Sequence, residues 1–134
     1  TNQAGVGRGI FTIEALNAIH EVMLMEIFAR GGAIAGVFFC ACHPDDGCEC
    51  RKPKPGLLKQ ISERLRVPLD GVPMVGDSQR DLDAARAAGA RPVLVRTGNG
   101  RTTEIGLDAA SATDTYDDLD AFVDAFLADE WSPA

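Results

Sequence analysis

No stretch of the 134-residue sequence approaches the roughly 20 consecutive apolar positions that a bilayer-crossing helix requires, so a membrane-spanning helix is excluded. The opening residues show no signal-peptide pattern, and the expected compartment is the cytoplasm. A basic excess is lacking too. Thirteen Lys and Arg against twenty Asp and Glu give a formal net charge of −7, which argues against non-specific nucleic-acid binding but leaves room for a local cationic pocket. There are only two histidines, and neither His20 nor His43 has a Ser or Asp partner that would suggest a catalytic triad. Internal repeats, low-complexity tracts and linkers are absent, which fits a single domain. Finally, no cysteine lies outside positions 40–50, and all four thiols are concentrated there.

What is present reads as strands alternating with helices. Residues 12–30 place apolar side chains at 13, 16, 19, 23, 24 and 27, which is helical spacing, with Thr12 as N-cap and Gly31-Gly32 as the stop. "AIAGVFF" (33–39) reads as a buried strand, and a helix from Pro55 buries Leu57, Leu58, Ile61 and Leu65. "GVPMVGD" (71–77) is a short strand ending on an acid. Residues 79–88 form a helix closed by Gly89, and "RPVLVR" (91–96) is a strand broken by "TGNGRT". "YDDLDAFVDAFLADE" (116–130) gives a last amphipathic helix with Leu119, Phe122, Val123, Phe126 and Leu127 inward. The expected architecture is α/β, a Rossmann-like parallel sheet flanked by helices. Ligands of such sheets sit beyond the carboxyl ends of the strands. The cysteine loop after 39, Asp77 and Thr97-Gly98 all fall there, and "TNQAGVGRG" joins them if a strand precedes it.

The loop "CACHPDDGCECRKPKPG" (40–56) carries two C-x-C pairs, Cys40/Cys42 and Cys48/Cys50, separated by five residues. Four sulfur ligands suit tetrahedral zinc, and a full set of protein ligands leaves no open position, so such a zinc shapes the loop and performs no chemistry. His43 could replace one thiol. The plainer alternatives are unliganded thiols or a disulfide. Arg51 and Lys52 follow at once, and cations held rigidly suit a phosphate, Arg bidentately and Lys as a point charge. A carboxylate at a strand end, Asp77, suits magnesium, and Asp81, four residues on, could hold Lys52 in position. The bland reading is that Asp77 or Ser78 caps the helix and Asp81 favours its dipole, and the two readings can coexist. "TNQAGVGRG" offers a hydroxyl, two amides and unhindered N–H groups able to cradle a phosphate.

In order and spacing, "TNQAGVGRG", "CRKPKPG", "MVGDSQRDLDAA" and "VLVRTGNG" resemble the haloacid-dehalogenase superfamily. Within it they are most similar to the D-glycero-D-manno-heptose 1,7-bisphosphate 7-phosphatases and the histidinol-phosphate phosphatases. The resemblance implies that Thr1 binds the transferring phosphoryl group and that Asn2, Gln3 and Ala4 continue the substrate loop. It implies that Lys52 offsets charge on nucleophile and phosphate, with Arg51 as its substrate-binding companion. Asp77 becomes a magnesium ligand and Ser78 a substrate contact, while Cys40, Cys42, Cys48 and Cys50 occupy zinc positions. Relatives commonly have C-x-H in the first pair, whereas this chain has C-x-C followed by His43, and Cys42 fits by spacing.

These enzymes attack phosphorus with the first Asp of a D-x-D and form an aspartyl-phosphate. No D-x-D precedes Thr1, and the "DLD" at 81–83 and at 118–120 lies in or at the start of helices. The expectation is therefore a partial chain, residues 1–134 with the zinc loop at 40–50, lacking the N-terminal strand and nucleophile and inactive by itself. The complete protein is expected to be a monomeric, magnesium-dependent phosphomonoester hydrolase acting on a small phosphorylated sugar in lipopolysaccharide heptose biosynthesis, with structural zinc and no nucleic-acid or membrane partner. The alternatives are a histidinol-phosphate phosphatase and a non-catalytic zinc-bearing domain that binds a phosphate or a partner. A zinc-ribbon nucleic-acid binder conflicts with the acidic charge and the α/β pattern.

Overall fold

The computed structural model describes residues 1–108, 111 and 113–128. The chain divides into two compact units, residues 1–51 and 52–134, and each is described by itself. Among the described residues, no helix is long and apolar enough to cross a membrane.

In the first unit a single helical turn, α1 (Ala4–Gly7), is followed by the long helix α2 (Ile13–Ala29). Thr12 caps α2 as expected, its hydroxyl accepting from Ala15 N at 3.2 Å. Of the apolar stripe read from the sequence in α2, Leu16 is buried, Met23 and Ile27 are half-buried, and Ile13, Ile19 and Leu24 are exposed. The expected strand 33–39 does not form. A strand needs a ladder partner for its N–H and C=O groups, and among the described residues only the end of this segment has one. There Thr1–Gln3 runs beside it: Asn2 bridges Cys40 in parallel, Cys40 N donates to Thr1 O at 2.9 Å, and Gln3 N donates to Cys40 O at 2.8 Å. Gly7 is needed where it stands, because a Cβ there would overlap the backbone of Ala41–His43.

The second unit opens with α3 (Gly56–Leu65), which buries Leu57 and Leu58 and leaves Leu65 exposed at its end. Then follow β1 (Pro73–Gly76), α4 (Gln79–Ala88), β2 (Arg91–Val95), α5 (Gly100–Gly106), β3 (Asp114–Tyr116) and α6 (Leu119–Leu127). The three strands form a parallel sheet in the order β1-β2-β3, with Val75 opposite Val93 and Val95 opposite Tyr116. Its core holds Val93, Leu94 and Val95 of β2 and Leu82, Ala84 and Ala85 of α4, all buried. The alanines let α4 approach the sheet closely, and Gly89, at φ 77°, ends the helix in the left-handed region that glycine adopts without strain.

In this unit two elements went unread in the sequence, α5 and β3, as did the short α1 of the first. Helix α5 starts within "TGNGRT", where the glycines suggested only a break. Strand β3 is three residues long, too short to show a period. Helix α6 buries Phe122 alone of its five expected inward residues, and the last two residues of that stretch, Asp129 and Glu130, lie outside the described residues. All three strands point the same way, so the residues following β1 and β2 meet at one edge of the sheet.

Candidate active site

Strand β1 ends at Gly76, and a Cβ at that position would overlap the side chain of Asp81 in the first turn of α4. The missing side chain lets the helix start directly over the strand end. Asp81 is 5% exposed, the one buried charged residue among those described. Both its oxygens are engaged. Oδ2 accepts from Asp77 N at 3.2 Å, from Ser78 N at 3.0 Å and from Ser78 Oγ at 2.7 Å. Oδ1 takes the Lys52 ammonium in a close ion pair. Burial pushes the Asp81 carboxyl up, but the hydrogen bonds from Lys52 and Ser78 and the charge of Lys52 prevail, and it is held below its ordinary value of 3.8. The carboxylate thus stays ionised and fixes Lys52 and the Asp77-Ser78 backbone in one cluster. This is the role expected of Asp81, and it coexists with its position in the helix's first turn.

Asp77 stands at the carboxyl end of β1 and is met by the loop after β2. Its Oδ2 accepts from the backbone N–H of Asn99 at 2.8 Å and from Asn99 Nδ2 at 3.2 Å. The hydroxyl of Thr103, one turn into α5, donates to the Asp77 carbonyl at 2.8 Å. Gly98, at φ 57°, is pressed so close that a Cβ would overlap Asp77 Oδ2. Oδ1 of Asp77 has no hydrogen-bond partner among the described residues. One engaged oxygen and one open one is the arrangement of a carboxylate able to act as a monodentate ligand to a hard cation, and the donor chemistry fits magnesium. Of these contributors the sequence named Thr97 and Gly98 only as lying at the sheet edge. Asn99 and Thr103 were missed, because a single asparagine in a glycine-rich turn has the same appearance whether or not it faces an acid.

In the first unit, Thr1, Asn2 and Gln3 lie along the segment that leads into the cysteine loop, and Ala4 begins α1. All four sulfurs converge. Cys40 is joined to Cys50 and Cys42 to Cys48 as disulfides, and across the pairs the Cys42 and Cys50 sulfurs are 3.8 Å apart. The ligand atoms of Cys40, Cys42 and Cys50 lie close enough together to share one metal ion. His43 is not in this group. Its Nδ1 accepts from Asp45 N at 3.3 Å, and its backbone N–H donates to Asp46 Oδ2 at 2.9 Å, capping the short turn Pro44–Asp46. Cys42, by contrast, lies in the group. Reduced to thiolates, these closely spaced sulfurs would be a donor set that fits zinc. Arg51, next in the chain, has its Nη1 buried with no hydrogen-bond partner among the described residues. A buried guanidinium nitrogen left unpaired is what an anion would satisfy.

A HAD-hydrolase-like family profile matches residues 49–122. The D-glycero-beta-D-manno-heptose-1,7-bisphosphate 7-phosphatase of Bordetella bronchiseptica is 47% identical over 127 residues, covering 95% of this chain and 71% of that protein. The Pseudomonas aeruginosa enzyme of the same name is 45% identical over 127 residues with the same coverage. Among solved structures, the D,D-heptose 1,7-bisphosphate phosphatase of B. bronchiseptica, complexed with magnesium and phosphate, matches with a TM-score of 0.92 at 46% identity. That match covers 96% of this chain and 72% of the other. The chain belongs to the HAD-hydrolase-like family.

Proposed function

We propose that this protein is a phosphatase that removes the 7-phosphate of D-glycero-D-manno-heptose 1,7-bisphosphate. The observation that carries the reading is the cluster at the end of β1, where one buried carboxylate, Asp81, holds both Lys52 and the backbone that bears Asp77. Relatives named for this reaction, at 47% and 45% identity, support the choice of substrate.

In this reading Asp77 is a ligand of magnesium, which when bound supplies positive charge to the phosphoryl oxygens. Lys52, locked by Asp81, places an ammonium against the charge that develops during transfer, and because it is already oriented it needs no reorganisation. Arg51 offers its unpaired Nη1 to a substrate oxygen, and Ser78, Thr1, Asn2, Gln3 and Ala4 contribute further substrate contacts. Thr1 and Lys52 act on the transferring group; the phosphoryl group passes to a carboxylate as its bond to the sugar oxygen breaks and that oxygen leaves with a proton, and water then cleaves the aspartyl-phosphate to release phosphate. None of the acids described here is assigned that nucleophilic role: Asp81 is consumed by its hydrogen bonds, and Asp77 by the cation.

The same reading gives Cys40, Cys42, Cys48 and Cys50 to a structural zinc. What supports it is the closeness of the sulfurs, with those of Cys42 and Cys50 3.8 Å apart, so that in the reduced state they could share one ion. The cysteine pairing itself favours a second possibility, two disulfides and no metal. The protein is taken to work as a cytoplasmic monomer on its small sugar substrate.

The test is phosphate release by the full-length protein, with and without magnesium, from the heptose bisphosphate, histidinol phosphate and a panel of simple sugar phosphates. The bisphosphate should exceed histidinol phosphate in kcat/KM by at least about tenfold. Equal rates, or a preference for histidinol phosphate, would reverse the substrate assignment. No release from any ester would favour a binding domain.

A further inference from the structure

The loop after β2 holds one carboxylate oxygen of Asp77, Oδ2, and leaves the other without a hydrogen-bond partner among the described residues. Asn99 supplies two donors to the same Oδ2, at 2.8 Å from its backbone and 3.2 Å from its side chain. Thr103 fixes the Asp77 carbonyl at 2.8 Å, and Gly98 walls off the remaining side of Oδ2 with no Cβ to intervene. The clamp is itself anchored. Arg96, which follows β2, grips Glu104 of α5 through two hydrogen bonds of 2.8 Å and 2.7 Å and reaches Asp117 at 2.9 Å. A Cβ at Gly100 would overlap Val95 O, so the start of α5 is seated on the strand end. Rotation of the Asp77 carboxylate about its Cβ–Cγ bond would break both Asn99 contacts at once.

We propose that Asn99 is a positioning residue for this phosphatase: with Gly98 and Thr103 it fixes the Asp77 carboxylate so that Oδ1 alone is presented to the divalent cation. Asn99 touches neither substrate nor cation and acts through Asp77. The inference rests on the reading of Asp77 as a metal ligand. Outer contacts of this kind typically change metal affinity by about 10–100-fold. Asn99→Ala removes the side-chain donor and leaves the backbone one, so the low end applies.

The test is direct binding of Mn2+ to the full-length protein without substrate, followed by electron paramagnetic resonance, alongside the magnesium dependence of turnover. Asn99→Ala should weaken Mn2+ binding by about tenfold. It should raise the magnesium concentration needed for half-maximal rate in step, and leave KM for the sugar phosphate unchanged at saturating magnesium. Thr113→Val serves as the control. It deletes a comparable side-chain-to-backbone bond, Thr113 Oγ1 to Pro92 O at 2.6 Å, at the start of β2, and should lower stability while leaving Mn2+ affinity within about twofold of the parent. An Asn99→Ala protein that binds Mn2+ like the parent overturns the proposal, as does a Thr113→Val protein weakened equally. If Asn99→Ala does not fold, Thr103→Val replaces it, with about a threefold loss of Mn2+ affinity expected and an unchanged affinity fatal. A parent that binds no Mn2+ also overturns the inference. A parent that binds Mn2+ and hydrolyses no ester, with Asn99→Ala still weakened, sinks the phosphatase assignment and leaves the clamp standing.

Discussion

Replacing Asp81 by Asn tests the cluster at its centre. The substitution keeps the shape of the side chain and removes its charge. In the parent, one oxygen receives three donors from Asp77 and Ser78 and the other receives Lys52. An amide has a single oxygen. If it turns that oxygen toward the three donors, its NH2 faces the Lys52 ammonium, donor against donor. If it turns the oxygen toward Lys52, the three donors face an NH2 group. Either way a polar group is stranded where the side chains of Lys52 and Asp81 are only 19% and 7% exposed.

Removing one partner of a buried pair costs about 3–5 kcal/mol because the other charge is left uncompensated. Lys52 retains some access to water, so the lower end, about 3 kcal/mol, is expected. For a chain of 134 residues that corresponds to roughly 12 °C in Tm. The pH dependence has a definite sign. The Asp81 carboxyl is held below its ordinary value of 3.8 in the folded protein, so its contribution is fully present above that value and is lost as pH falls through the folded pKa. Urea unfolding of parent and Asp81→Asn should therefore differ by about 3 kcal/mol at neutral pH, and the gap should narrow as the pH drops below 3.8. A neutral-pH gap under about 1 kcal/mol, or one unaffected by acid, would show that the pair does not organise the cluster.

Lys52→Met deletes the ammonium while keeping the aliphatic stem, and should lower kcat by at least about 1,000-fold with metal content unchanged; activity within a fewfold of the parent would remove Lys52 from the mechanism. For the cysteine cluster, elemental analysis of protein purified under reducing conditions should give one zinc per chain, and Cys48→Ser should lose it; intact-mass measurement showing two disulfides and no zinc would establish the second possibility.

The parts of the fold legible in the sequence are those whose signals are local. Thr12 as cap, Gly89 as stop and the apolar run of β2 each depend on neighbours a few residues away, and each reading holds. Where a signal depends on a distant partner, the sequence misleads. Residues 33–39 have strand composition, yet the paired part is only its end beside Thr1–Gln3. Leu119, Val123 and Leu127 have helical spacing, yet spacing alone does not say what covers a face, and all three are exposed. Asp81 was legible as a holder of Lys52 because a short motif brings acid and strand end together. Asn99 was not, since its 22-residue separation from Asp77 is closed only by the crossover to β2.

Asp77 and Asp81 carry the same functional group four residues apart, and their surroundings give them opposite tasks. Asp81 accepts at both oxygens, is already paired with an ammonium and sits nearly out of reach of water, so it is a poor ligand for a cation that must shed water to bind. Asp77 accepts side-chain contacts at Oδ2 alone, and those come from neutral donors that leave its charge uncompensated. An uncompensated carboxylate at the sheet edge attracts a divalent cation, whereas one already neutralised by an ammonium organises its neighbours. Exchanging the partners, and not the acids, would exchange the roles: a cation delivered to Asp77 in place of Asn99 would compete with the metal for the same charge.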